Sequence, residues 1–280
     1  MKYSLSIIIS HYCSNINKNP LLKTLDVIQS QIKNEKIEII IADDGSNYSE
    51  SILKNYSDMN EIKSDDRNFY ILRDKKLNLF LERQNISNQF IKKWIYLPKL
   101  KECMSKARVT NEAVRLSESE KILFLDDDNY FTSNNSIENI LFLFNKYDFI
   151  IGQIEDNHGK KRSYNSYRVQ GTTIATKKEI LNKIGGFGEW TEEYSCGVDS
   201  DFWIKIFNYF QENKELKACY SNKIATCDSY SKRWKKYTKF LKEFRLRYKF
   251  NELYNCKNYK NKKYNLSRNK KNWIENLTND

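Results

Sequence analysis

Between Lys121 and Phe131 the chain reads KILFLDDDNYF, a short apolar run that stops at three consecutive carboxylates. Ile122–Leu125 has no polar alternation and is short for a helix, which suits a strand covered on both faces, as in a parallel sheet flanked by helices. If the backbone stays extended past Leu125, residues two apart share a face, so Asp126 and Asp128 point one way and Asp127 the other. Such a pair suits one hard divalent cation, Mg²⁺ or Mn²⁺, whose other positions are filled by water and substrate phosphates. A solvated acidic turn closing the strand accounts for the same residues. These residues alone do not separate the two readings.

The 280 residues suffice for one large domain with an extension, or for two small ones. A net charge of +12 leads us to expect an anionic partner: a nucleotide sugar, a lipid headgroup, an acidic glycan or a nucleic acid. Cys13, Cys103, Cys196, Cys219, Cys227 and Cys256 form no C-x-x-C pair, so neither a zinc site nor a disulfide framework is indicated, which suits a reducing compartment. The N-terminal MKYSLSIIISHYCSN has too short and interrupted an apolar run for a signal peptide and reads as a first strand. No stretch approaches the ~18 apolar residues of a membrane span. The expectation is a cytoplasmic protein, soluble or peripheral at a membrane.

Leu5–Ser10 reads as strand one, Leu21–Lys33 as a helix, Ile37–Ala42 as strand two ending in Asp43-Asp44-Gly45-Ser46, and Phe69–Leu72 as a third strand. Helical spacing returns over Lys106–Ser117 and leads into the acidic strand; Ile137–Tyr147 follows as a helix and Phe149–Ile154 as a strand. This alternation predicts a doubly wound α/β sheet, in which ligands bind at the carboxyl ends of the strands, where His11, Asp43 and Asp126 fall. Further on, the paired Gly185 and Gly186, which suit a tight or left-handed backbone, precede carboxylates and an aromatic helix.

With these segments in order, residues 4 to 210 resemble the family 2 glycosyltransferases and their GT-A relatives. Strand one is followed by Tyr12, strand two ends D-D-G-S, Lys106–Ala113 is similar to the family's G-K-x-x-A-L-N-x-A, and Gly185-Gly186-Phe187 precedes Val198-Asp199-Ser200-Asp201, where the family reads G-G-F-D-E and then E-D-x-D. Ser10 stands for the usual proline, Cys13 for an asparagine, Ser105 for a glycine and Val198 for the glutamate; no histidine follows as a further metal ligand. The resemblance implies a GT-A, Rossmann-like, mostly parallel central sheet flanked by helices. It also implies a metal-dependent inverting transfer of a hexosyl or N-acetylhexosaminyl group from a nucleotide diphosphate sugar, a UDP-sugar in our reading, to a glycan, lipid-linked or protein hydroxyl.

On that reading Asp126 and Asp128 hold Mn²⁺ or Mg²⁺, and Asp126 and Asp127 belong to the donor site. Asp43 or Asp44 contacts the base or ribose and Tyr12 lines the base; a D-G turn explains the aspartates without a ligand. Lys106 offers a point charge and Arg108 a fork of donors to the diphosphate, with Asn111 beside them in the same motif. Asp199 is the general base that takes the acceptor's proton, and Asp201 supports it at a helix N-terminus. Trp190 stacks on an acceptor sugar or packs in the core. His11 and His158 read as satisfied structural histidines.

Two segments lie outside the resemblance. Leu77–Cys103 is expected as an insertion, an acceptor wall, lid or partner surface, within a domain spanning 1–228. Residues 229–280 are expected as a basic, aromatic-rich helical extension, in which Tyr237, Phe240, Leu241, Phe244 and Tyr248 form one apolar face opposite a basic one. That helix packs on its own domain or lies on an anionic membrane; basic residues interleaved with aromatics also permit nucleic-acid binding, but no recognised module accompanies them and none is expected. The competing functions are a retaining GT-A transferase or nucleotidyltransferase, and a catalytically silent module that holds an anionic polymer.

Overall fold

The computed structural model of the chain describes residues 2–48, 53–55, 58–64, 67–100, 103–164, 169–228, 239–256 and 273–278. Its centre is a run of four parallel strands. Strand β1 (Leu5–His11) pairs with β2 (Ile37–Asp43) on one side and with β6 (Lys121–Asp126) on the other, and β5 (Ile91–Tyr96) adds to β2. Antiparallel β4 (Arg67–Leu72) and β3 (Asp58–Ser64) extend that edge. Beyond β6 the sheet continues through antiparallel β9 (Ile174–Lys177) to β8 (Phe149–Glu155), β10 (Ala218–Asp228) and β11 (Ile274–Asn276), with β7 (Asn129–Phe131) beside β10. The expected parallel core is present, and antiparallel pairs flank it.

Successive residues of a strand feed opposite faces. Ile8, Ile40, Ile95, Ile122 and Phe124 enter one core cluster, whereas Ile7, Ile9, Ile39, Ile41, Leu123 and Leu125 enter the other. Both faces are therefore dry, which is why these strands read as unbroken apolar runs. The helices α1 (Leu21–Gln31), α2 (Asp74–Arg83), α3 (Lys106–Leu116), α4 (Ser136–Leu143), α5 (Lys178–Ile184), α6 (Val198–Glu212) and α7 (Lys239–Tyr254) alternate with the strands.

Two expectations need correction. The stretch expected as an insertion is built into the fold: its residues 91–96 are β5, paired in parallel with β2, and Trp94 within it is fully buried. Sequence disguised this strand because IKKWIY places lysines in it. One of them, Lys93, is itself buried and pairs with Glu38 at 3.0 Å and Glu118 at 2.7 Å. The tail joins the domain, as one expectation for its helix had it, through β11 in the sheet and through Leu246 and Phe250 of α7 in the core. The inward face of α7 is not the expected one: Phe244 and Tyr248 are 71% and 74% exposed. Tyr237, Phe240 and Leu241 of that predicted face lie outside the described side chains.

Trp94 also carries a polar duty. Its indole Nε1 donates to Asp43 Oδ2 at 3.0 Å, and its ring meets Phe80, Tyr48 and His11 edge-on at 5.0, 5.3 and 5.6 Å between centroids. Asp43 is fully buried, and burial pushes its carboxyl above the usual range. Trp94→Phe keeps most of the packing and strips a buried carboxylate of one donor, so it should destabilise the protein by about 1–3 kcal/mol. Urea unfolding would measure this, and an unchanged midpoint would remove the bond from any structural role.

Candidate active site

The parallel register sets His11 beside Asp43 and Ser10 beside Asp126, so the ends of β1, β2 and β6 form one rim. At Asp126 the strand stops and residues 127–128 turn, so the two-residue alternation expected through the triple aspartate ends there. Asp127 turns inward instead of toward a donor. Only 1% exposed, it accepts from His11 Nδ1 at 2.8 Å and from the backbone N–H of Tyr12 at 3.1 Å. Because a carboxylate only accepts, Nδ1 carries the hydrogen; Nε2 lies in hydrogen-bond contact with the Tyr48 hydroxyl at 2.9 Å, which in turn accepts from Asn19 Nδ2. His11, expected as a structural histidine at the surface or in the core, lies in the core and is what fixes the acidic turn.

Outside that anchor, Asp126 lies at the rim, its side chain 30% exposed, with Lys106 Nζ 2.5 Å from its Oδ1. Burial works against the charge on Lys106, yet Asp126, Asp199 and Asp128 outweigh it and hold the ammonium pKa above its usual value. Burial pushes the Asp126 carboxyl up to about 6; Lys106 pulls it down, while Asp128 and Asp199 push it further up. Three of the predicted residues thus gather around one lysine: Asp126 at the end of β6, Asp128 in the turn that follows, and Asp199 in the first turn of α6. Asp199 reaches this position across Gly171, where a Cβ would sit 2.0 Å from its Oδ1.

Three carboxylates facing one ammonium leave an excess of negative charge, which fits a divalent cation. Among the described residues no group of three or more His, Cys, Asp or Glu side chains is disposed to hold a metal by itself. A hard cation bound through one or two carboxylates, with phosphate oxygens completing its shell, needs no third protein ligand. Asp126 and Asp128 are the residues that would hold it.

A second group adjoins the first. Asp44 accepts from the backbone N–H of Ser105, next to Lys106, at 3.0 and 3.1 Å, and pairs with Lys99 at 3.4 Å. Lys99 Nζ also lies 3.7 Å from the centre of the Tyr12 ring, and Tyr12 is exposed. Sequence gave no signal for Lys99, which follows β5 in the stretch expected as an insertion. Asp43 does not join this group; Ser46 N–H and Trp94 hold its carboxylate inside.

The remaining predicted residues serve the scaffold. Arg108 does not face the acidic cluster but pairs with Glu192 at 2.9 Å and Glu189 at 3.6 Å. Asn111 clamps the glycine turn, donating to Phe187 O and accepting from Phe187 N–H, both at 2.9 Å. That turn has the left-handed backbone expected of it, with φ of 71° at Gly185 and 62° at Gly186. Half-buried Trp190 is engaged by the scaffold: its indole donates to Asp201 at 2.9 Å, and its ring packs edge-on against Phe250 at 5.1 Å. Asp201 is fully buried, bonded by Trp190 and the Tyr254 hydroxyl and paired with Lys205 at 3.0 Å. Tyr254 was not foreseen, since nothing in its neighbourhood of the sequence links it to residues fifty positions earlier.

Residues 6–97 match the profile of the family described as Glycosyl transferase family 2. Among solved structures, the mannosyltransferase PcManGT from Pyrobaculum calidifontis, in complex with GDP-Man and Mn²⁺, superposes with a TM-score of 0.50 at 15% identity over 83% of this chain. TarS 1-349 of S. aureus in complex with UDP-GlcNAc does so with a TM-score of 0.50 at 15% identity over 91% of this chain. The fold is that of the GT-A glycosyltransferases. This chain spans 59% of the PcManGT chain and 67% of the TarS chain. No curated protein matches it. The GT-A rim is where the two polar groups described above sit.

Burial pushes the Asp44 carboxyl up to about 6 from 3.8, with Lys99 and the Ser105 N–H pulling it partly back. The folded chain therefore binds this proton more tightly than the unfolded chain. Stability from Asp44 is fully present below its unfolded value and is lost as the pH rises through about 6. Asp44→Asn removes this dependence, so the loss of stability between about pH 5 and about pH 7.5 should narrow in the variant. Urea unfolding at both pH values tests it; an unchanged difference would mean Asp44 does not titrate there.

Proposed function

We propose that the protein is a metal-dependent, inverting glycosyltransferase that moves a hexosyl or N-acetylhexosaminyl group from a UDP-sugar to a hydroxyl of a glycan, lipid-linked or protein acceptor. The observation that carries this reading is the gathering of Lys106, Asp126, Asp128 and Asp199 at the carboxyl ends of β1 and β6, on a GT-A sheet whose N-terminal part matches glycosyl transferase family 2. The nucleotide sugars bound to the structural neighbours support a nucleotide-sugar donor.

Each residue has a task in that chemistry. Lys106, at the N-terminus of α3, is placed to neutralise a diphosphate through its ammonium and the helix end together. Asp126 and Asp128 would hold Mn²⁺ or Mg²⁺, which when bound offsets the negative charge that builds on the departing diphosphate. Asp199 acts as general base: the acceptor hydroxyl is a poor nucleophile until a carboxylate within hydrogen-bond reach takes its proton. Displacement from the side opposite the leaving group then inverts the anomeric centre. Asp44 and Lys99 present an acceptor and a donor side by side next to the Tyr12 ring. Uracil offers a complement, an N3–H beside a carbonyl, which is compatible with the UDP reading; the other bases also place a donor beside an acceptor, so the choice of base rests on the titration.

Calorimetric titration of UDP, GDP and their sugar conjugates, with Mn²⁺ and with chelator, tests the donor class. Uridine nucleotides should bind in a metal-dependent manner, and Asp128→Ala should lose that dependence; tighter binding of GDP would overturn the base assignment. Asp199→Asn should leave donor affinity within about threefold while lowering turnover by about 10²–10⁴-fold, the usual contribution of a general base. Retained turnover would exclude Asp199 as the base, and retention of anomeric configuration in the product would exclude inversion.

A further inference from the structure

The positive charge of this protein is confined to one segment. Residues 229–280 contain 16 Lys and Arg against four Asp and Glu, a surplus equal to the net charge of +12 of the whole chain. Residues 1–228, which carry the acidic cluster, are balanced. The described middle of that segment is α7. At about 100° per residue, its Leu246 and Phe250 define one side of the helix. That side is buried, with Leu246 lying over Gly197 and Phe250 against Trp190. Diametrically opposite stand Phe244 and Tyr248, one turn apart and 71% and 74% exposed. Arg245 flanks this pair on one side and Arg247 on the other, both exposed. Glu252, the acid on this outer side, is engaged by Lys249 at 2.9 Å.

Two aromatic side chains held out in water are unfavourable unless something covers them, and an apolar centre between two cationic margins is the pattern of a helix that lies in a membrane interface. The aromatics enter the boundary between headgroups and acyl chains, while the guanidinium groups remain at the level of the phosphates. Among the described residues no helix is long and apolar enough to cross a membrane, so the contact is peripheral. The inner side of the same helix reaches the site: Tyr254 bonds Asp201, two residues beyond Asp199. We infer that the outer face of α7 docks the protein on an anionic phospholipid surface, through Phe244 and Tyr248 inserted between the Arg245 and Arg247 contacts.

Flotation of the full chain with vesicles of phosphatidylcholine alone and of phosphatidylcholine mixed with phosphatidylglycerol tests this. The chain should float with the anionic vesicles only and be released by high salt. The double substitution Arg245→Gln with Arg247→Gln should weaken partitioning about 30-fold, from the contribution of two basic residues at an anionic surface. Phe244→Ser with Tyr248→Ser should abolish flotation while leaving the circular dichroism spectrum and nucleotide binding unchanged, which separates lost docking from lost fold. Absence of flotation in the parent chain, or flotation that survives loss of both aromatics, would overturn the proposal. So would binding of a single-stranded oligonucleotide, or self-association in sedimentation, that depends on Phe244 and Tyr248 when vesicles are not bound.

Discussion

The site depends on one buried pair, His11 with Asp127. Three adjacent carboxylates at the end of a dry strand repel one another, and a turn that exposed all of them would have no reason to hold one shape. Sending the middle one inward settles the geometry. Asp127 is anchored to β1 through the imidazole and the Tyr12 N–H, and its backbone is anchored as well: its N–H donates to Ser10 O at 3.0 Å, and its carbonyl accepts from Thr24 Oγ1 on α1 at 2.8 Å. With the centre of the turn fixed on both sides, Asp126 and Asp128 are placed by covalent geometry. The imidazole is fixed in turn by Tyr48, so the second strand's loop, the first strand and the acidic turn form one body.

Such an anchor is costly in isolation, because a buried charge loses its hydration and regains it only through well-directed partners. Here Asp127 is held from β1 and from α1, so the desolvation that disfavours folding is offset at the rim, where preorganised charge would serve the proposed transfer chemistry. The same holds for Asp126 and Lys106. Burial alone would discharge either; side by side, with Asp128 and Asp199 near, the lysine stays charged and the carboxylate titrates at about 6. The arrangement is poised to gain a cation or a phosphate, because neither partner is fully compensated by the other.

How much of this was legible follows from the range of each interaction. The strands β1, β2, β6 and β8 announced themselves because both faces are apolar, and the rim followed because parallel strands put their carboxyl ends together. Strand β5 was hidden since its lysine is neutralised by Glu38 and Glu118, partners 55 and 25 positions away that no local pattern reveals. Alternation sets Asp127 apart from Asp126 and Asp128, and the structure does so too; the donor role that the resemblance implies for it fails because its carboxylate is taken by His11, 116 positions away, which no local pattern reveals. Helix α7 was turned over for a related reason. Its sequence offers an apolar stripe on each side, and periodicity ranks them by hydrophobicity, whereas the fold buries the side that meets Gly197 and Trp190.

The division of labour between Asp199 and Asp201 shows how the fold decides what sequence leaves open. Both are acids in the first turn of α6, where the helix dipole favours negative charge for each. Asp201 points into a closed knot, completed by Trp190 from the segment after the glycine turn, Tyr254 from the tail and Lys205 one turn on. Nothing can reach it without dismantling that knot. Asp199 instead passes Gly171 toward Lys106 and Asp126, and the knot behind it fixes the first turn of the helix that carries it. In the proposed mechanism the buried acid is the post and the half-buried one the working group, and because Tyr254 belongs to α7, the segment that bears the chain's net charge is also part of what holds the proposed base in place.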